Sequence, residues 1–491
     1  MAFITLMFAG HISPAHLAGV GLTNTLFNLI VVPVSAGYAS VFDTYGPQVY
    51  GFKGELGTVF LKCLLQGWLL LFLVLGPYLN IVYIIDLLPY SGLNSSITVV
   101  NEMAILGQGD FRDIAVNYLR ITFIVEFLDY TFTMISKYFA IQEQTKFVYL
   151  VSIVMIVSHC LANYVLVVVL KLGLNGLGVA AIVSRILPLT VSLTICCVMI
   201  KQDQFAWNGF SARALLGWKP MMKLGISGAL NVFAEMVLFE ISTFCSQFDG
   251  AVAFSVVIIA HQLVSIWWSI ALGMSEAAAT LIGTALGEGD AEKTKLCMKL
   301  TVVNSVLVSS VLAVVSYCLM SYEITLFSSD NDVKSVFMTT FWIICLGIPV
   351  DHIQTSLNQG ILVSFGAQNF TCFTMSIACY GIGLPIVLGT IFFTDMKVAG
   401  VFIGLVAAAL VMLVCAVLKI RTVNIENEIE KSRKRVGVDP EDEDPLLGED
   451  FLLDRREVEN KKEMTRVILA FVYGGLAFFS LGALSMIRHS K

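Results

Sequence analysis

Residues 398–420 read VAGVFIGLVAAALVMLVCAVLKI, with no charged side chain before Lys419. Coiled as an α-helix, a run of this length spans the ~30 Å hydrocarbon core of a bilayer. Lipid offers no water to satisfy backbone N–H and C=O groups, so such a run has to be helical. Comparable runs recur near 16–41, 58–84, 114–141, 147–171, 175–200, 221–246, 251–280, 297–319, 337–362, 370–393 and 467–487. The sequence therefore predicts an all-α polytopic membrane protein with about twelve full spans. One apolar stretch is too short: Ala2 to Ala9 ends at Gly10-His11 and lacks the basic start of a signal peptide. It reads either as a surface segment or as a first helix that has lost its beginning.

Composition agrees with this reading. Of 491 residues, 57% are hydrophobic and 13% charged, against about 25% charged in soluble domains. Twenty-four of the charged residues lie between Arg421 and Arg466, so the remainder of the chain is nearly free of charge. A net charge of -6 with no basic stripe excludes a nucleic-acid partner. The 11 cysteines lack paired spacing and sit mostly in apolar runs, where they read as small packing residues. No phosphate-binding loop, metal-ligand cluster or nucleophile constellation is present, which predicts a protein that is not an enzyme and carries no cofactor. Uphill movement of a solute would then draw on an H+ or Na+ gradient.

Basic loops stay cytoplasmic. Placing Lys53 there brings Lys137 with Lys146, Lys201 with Arg213 and Lys219, Lys293 with Lys295, and the 421–466 tail to the same side. The opposite loops carry acids and the sequon at Asn94, a candidate glycosylation site; the sequon at Asn369 falls on the cytoplasmic side and is expected to be silent. Sliding the chain by 236 positions lays Gly37 on Gly273, Thr44 on Thr280 and Gly51 on Gly287. With the shared helix order, this weak repeat predicts two pseudo-symmetric six-helix lobes, 1–204 and 218–421, joined by a cytoplasmic linker at 205–217. A charged cytoplasmic segment, 422–466, and a thirteenth transmembrane helix, 467–487, follow. Asp442, Leu446 and Leu447 within the charged segment fit an acidic dileucine pattern for a sorting adaptor.

Ionisable groups inside a bilayer cost at least ~2.5 kcal/mol and need a partner, a cavity or a function. Glu235 and Glu240 lie deep in the segment 221–246, about 140° apart around a helix. One is expected to line a cavity and the other to pair with a neighbouring helix. Glu126 and Asp129 share a face of 114–141, either as a proton site or paired with Lys137 or Arg120. Asp43, close to Lys53, reads as interfacial. Asp351 and His352 sit in 337–362, and His159 and His261 are either packed or titrating. Trp267 and Trp268 offer aromatic walls to a cation or simply pack.

Several short motifs occur in a telling order: Phe8-Ala9-Gly10-His11, Asp43-Thr44 with Gln48-Val49-Tyr50-Gly51, Lys137-Tyr138 with Gln142, Leu161-Ala162-Asn163-Tyr164, Leu172-Gly173 with Gly176, Thr284-Ala285-Leu286-Gly287 with Gly289-Asp290, and Gly383-Leu384-Pro385. Their order and spacing resemble the multidrug and toxic compound extrusion (MATE) antiporters along essentially the whole chain, in particular the animal branch with a thirteenth helix. The resemblance implies two six-helix lobes around a cavity, a plasma-membrane or intracellular-membrane location, and export of organic cations in exchange for protons. It places Glu235 and Glu240 on acidic positions of the second lobe. Two further acidic positions of the family depart, one becoming Gln262 after His261 and the other His352 beside Asp351. Trp268 stands where a tyrosine is usual and Ser227 replaces a proline, while Glu126 and Asp129 fall outside the vertebrate pattern. It also implies a first helix that starts before Met1. Two rivals are a lipid-linked sugar flippase of the same superfamily, disfavoured by the mostly acidic intramembrane charges, and a non-transporting scaffold that recruits partners through its acidic tail.

Overall fold

A computed structural model describes residues 2–12, 14–79, 108–202, 205–207, 209, 211–328 and 330–436. Asn94, the dileucine residues Asp442, Leu446 and Leu447, and the helix expected at 467–487 lie outside the described residues. Within them the chain is helical: α1 (Ala2–Ile12), α2 (Pro14–Ile30), α3 (Val32–Gly51), α4 (Leu56–Leu79), α5 (Gln108–Ile141), α6 (Thr145–Asn163), α7 (Gly173–Lys201), α8 (Trp218–Ser246), α9 (Ala251–Glu288), α10 (Ala291–Phe327), α11 (Asn331–Thr355), α12 (Gln368–Ser376), α13 (Leu384–Phe393), α14 (Lys397–Arg421) and α15 (Ile425–Val436). Nine helices among the described residues are long and apolar enough to cross a membrane, and α2 with α3, bent by 42° at their junction, makes up to ten if the pair is one span. The bend falls at Val31, just before Pro33, whose missing N–H breaks the ladder. The predicted segment 16–41 is thus the first part of this bent pair, which runs on to Gly51.

Local chemistry sets where these helices stop and start. Asp290 caps α10 by accepting the Lys293 backbone N–H at 2.9 Å, directly after Gly289 ends α9 in the left-handed region at φ 73°. Asp330 caps α11 in the same way. Three spans contain π-helical turns, at Tyr164–Val169, Ser356–Leu362 and Ile377–Gly383. Such turns free carbonyls and bend a helix, and they concentrate at functional sites.

Packing falls into separate apolar clusters. One joins α3, α4, α5 and α7 around Tyr38, Phe42, Tyr130 and Phe139. Others join α9, α11 and α14 around Phe337, Phe341 and Phe402, or α8 with α12 and α14. The two halves of the chain meet along α3, which packs on α8 and α9. Glycine permits this approach: a Cβ on Gly37 would lie 2.1 Å from the Ala229 backbone nitrogen, and one on Gly51 would lie 2.2 Å from the Thr284 carbonyl oxygen. Small residues that let backbones touch are the usual device for helix contact in lipid, where no hydrophobic force distinguishes protein from solvent. Gly51 also faces Gly287, the residue that the 236-position repeat lays upon it.

One end of the bundle gathers the loops that the basic-residue rule assigns to the cytoplasm. Tyr50, Lys53, Glu143, Phe205, Trp207, Thr284 and Glu288 line one cavity of about 600 Å³ there. At the same end the amphipathic α15 buries Ile425 and Ile429 against the second half. Its Arg435 donates to Gln48 Oε1 of α3 at 3.0 Å and to the Phe365 carbonyl at 2.9 Å, bridging both halves. Burial of that guanidinium lowers its pKa.

Candidate functional site

The second half holds a polar cluster inside an apolar shell. Glu235 of α8 is 8% exposed and faces Asp351 of α11. It forms no hydrogen bond or ion pair among the described residues. Asp351 accepts from Gln354 Nε2 at 3.1 Å, and the buried His352 reaches the backbone of Trp267 on α9. His261 Nδ1 lies 2.8 Å from the Thr243 hydroxyl, and its ring stands edge-on to Phe239. Among the described residues, six buried polar atoms on α8, α9, α11 and the π-helical turn after α11 have no protein partner: Asn231 Oδ1, His261 Nε2, Trp267 Nε1, Trp268 Nε1, His352 Nε2 and Asn358 Oδ1. Each such orphan costs about 1–3 kcal/mol unless water or a ligand serves it. Glu240, about 140° round α8 from Glu235, is half-buried and also forms no ion pair among the described residues, contrary to the expectation of a partner helix. Gln262 follows His261 on α9 and is half-buried.

In the first half, the structure separates the two carboxylates that the sequence grouped. Asp129 is paired by Arg185 of α7, whose Nε lies 3.1 Å from Oδ1 and 3.2 Å from Oδ2. The cation is not the expected Lys137, because α7 packs alongside α5 and brings an arginine from 56 residues away; the side chain of Arg120 lies outside the described residues. Arg185 Nη1 also donates to Ser184, which bonds His159, itself bonded to Thr5; His159 is therefore a networked core residue. Glu126 is buried, touches the Ser35 hydroxyl and has Arg185 only at a distance.

A third group, at the seam between the halves, was not anticipated. Lys137 Nζ donates to Asp43 Oδ1 at 2.8 Å and Oδ2 at 2.9 Å, and to Glu276 Oε1 at 2.6 Å. Asp43 is thus an ion-pair partner rather than an interfacial residue, because α3 continues for two more turns beyond it. Glu276 escaped notice although an acid within the apolar segment 251–280 was itself a signal.

The family model described as MatE matches residues 1–165 and 228–388, well over half of the chain. The chain belongs to the MatE family. Among its relatives is multidrug and toxin extrusion protein 1 of Oryctolagus cuniculus, 28% identical over 435 residues that cover 84% of this chain and 70% of that one. An uncharacterized transporter of Schizosaccharomyces pombe, C4B3.13, is 24% identical over 83% of this chain and 73% of its own. Of solved structures, the eukaryotic MATE transporter AtDTX14 superposes with a TM-score of 0.79 at 19% identity, covering 88% of this chain and 94% of the other. This MatE protein is accordingly a multi-pass membrane transporter and not an enzyme. Both matched blocks include charged residues of the helices, Asp43, Glu126, Asp129 and Lys137 in the first and Glu235, Glu276 and Asp351 in the second.

Proposed function

We propose that this MatE protein exports organic cations across the bilayer in exchange for protons, and that Glu235 carries the exchange. The observation behind this reading is a buried carboxylate in a span, facing Asp351 and with no ion pair among the described residues, on helices that also carry unpartnered polar atoms. A lone negative charge in a low-dielectric interior is costly to keep bare, so one positive visitor at a time neutralises it. Proton and organic cation then compete for the same site, and exchange follows without contact between them. Asp351, His352 and the rings of Trp267 and Trp268 belong to the same binding region, with Gln262 and Glu240 nearer its margin. Two lobes rocking about the α3 seam would present the region alternately to each side.

The test is uptake of tetraethylammonium into vesicles under an imposed proton gradient. Glu235→Gln preserves shape but removes the charge, and uptake driven by pH is expected to vanish while wild type is active. Undiminished uptake would reject the assignment. In the first lobe, Arg185 already neutralises Asp129, which leaves Glu126 as the group free to hold a proton. Replacing Glu126 with Gln and Asp129 with Asn together is expected to shift the pH optimum of transport by about a unit; an unmoved optimum returns the pair to a structural role.

A further inference from the structure

Charge within the Lys137 group is not balanced. Lys137 supplies one positive charge to two carboxylates. Asp43 and Lys137 belong to packed helices of the first half, their side chains are 13% and 9% exposed, and the ammonium bonds both carboxylate oxygens. That pair needs nothing from the second half. Glu276 comes from α9, on the other side of the seam, and is held through Oε1 only, with 45% of its side chain exposed.

Its depth matters. Glu276 lies twelve residues before the end of α9, about 18 Å along the helix axis. Between it and that end the halves are closed by backbone contact, Gly51 against Thr284 and Gly287 against the Gln48 carbonyl. If the halves part at the basic end with α3 and α5 moving together, Lys137 leaves paired to Asp43, and Glu276 is left on α9 without it.

We propose that Glu276 is a second binding carboxylate for an organic monocation, used in the state open at the basic end, and that Lys137 is a tethered ammonium that weakens this binding when that end closes. The proposal rests on the export reading above. A ligand shifts an equilibrium only through unequal affinity for the two states. Here the inequality is built in: with Lys137 at 2.6 Å, a second cation meets a like charge beside its carboxylate, and with Lys137 withdrawn it does not. A cation taken up from the basic side is thereby pushed off as the seam shuts, the direction an exporter requires.

Glu276→Gln removes the charge and leaves the Lys137–Asp43 pair intact, so the full-length protein should fold. Two measurements are made on it in proteoliposomes. In a Thr280→Cys background, Thr280 being one turn beyond Glu276 towards the seam, a membrane-impermeant maleimide is applied from the basic side, and labelling above that of the same protein without Thr280→Cys is scored. With the cross-seam pair removed, labelling is expected to rise about fivefold. The half-saturating tetraethylammonium concentration is expected to rise about tenfold when the cation is presented from the basic side, and less than twofold from the opposite side. Unchanged labelling, or an equal change from both sides, overturns the proposal while leaving export standing. Wild-type protein that moves no tetraethylammonium in either direction overturns the export reading and this proposal with it.

Discussion

Replacing Lys137 with Met should strongly destabilise this protein. Both its partners are intramembrane carboxylates, and Asp43 is nearly enclosed. Removing one member of a buried ion pair strands the other, at a cost of roughly 3–5 kcal/mol. Here two acids are stranded together and repel each other. The thermal midpoint of detergent-solubilised protein, followed by fluorescence-detected gel filtration, is expected to fall by at least about 5 °C, with most of the monodisperse peak lost. Removing both members of a pair is gentler than removing one, since no uncompensated charge remains. Asp43→Asn combined with Lys137→Met should therefore recover part of the loss. A double variant no better than the single would show that Lys137 matters through its packing alone.

The second large effect lies at the glycine seam. Gly51→Val places a Cβ 2.2 Å from the Thr284 carbonyl oxygen and 2.9 Å from the Gly287 Cα. These are backbone atoms, which cannot swing aside, so the clash is relieved only by moving α3 and α9 apart. Overpacking of this kind costs roughly 1–3 kcal/mol or more, and it opposes only the state in which the basic end is shut. Tetraethylammonium transport is expected to drop more than tenfold while the protein still reaches the membrane. Gly273→Ala is the matched control, because nothing lies within 4 Å of its added Cβ. There the better helix propensity of alanine should leave stability unchanged or raised by up to ~1 kcal/mol. Equal transport in the two variants would remove the seam from the mechanism.

Gly51 and Gly273 show how far the repeat could be read in advance. The offset of 236 residues identifies Gly51 with Gly287 and Gly37 with Gly273 as equivalent positions. It cannot say that the first two touch across the seam, or that Gly37 is tightly packed where Gly273 is open. Equivalence is a property of the sequence, whereas contact depends on how the helices are set beside one another.

The same division runs through the charged residues. Glu235 and Glu240 were legible as charges without a basic side chain in reach on their own helix, but which of them a neighbouring helix would pair was not; among the described residues neither forms an ion pair. Asp129 was legible as a charge needing a partner, yet Arg185 stands 56 residues away on a helix whose neighbours the sequence does not state. Lys137 joins residues 94 and 139 positions distant. Reading Asp43 against its near neighbour Lys53 produced an interfacial residue; the packed helices produced an ion pair.

From the chain alone came most of the helical spans, their order, and a short list of charges that a bilayer makes expensive; the helix expected at 467–487 lies outside the described residues, and 114–141 is helical without being among the helices apolar enough to span. Lipid imposes this legibility, because each segment has to satisfy its own backbone within about twenty residues and advertises that in its composition. Only the packed structure decided which charges meet, which stay unpartnered, and that Glu276 belongs with Lys137 across the seam. Those outcomes depend on side-chain distances between helices far apart in sequence, set by glycine contacts and apolar packing that no single segment contains.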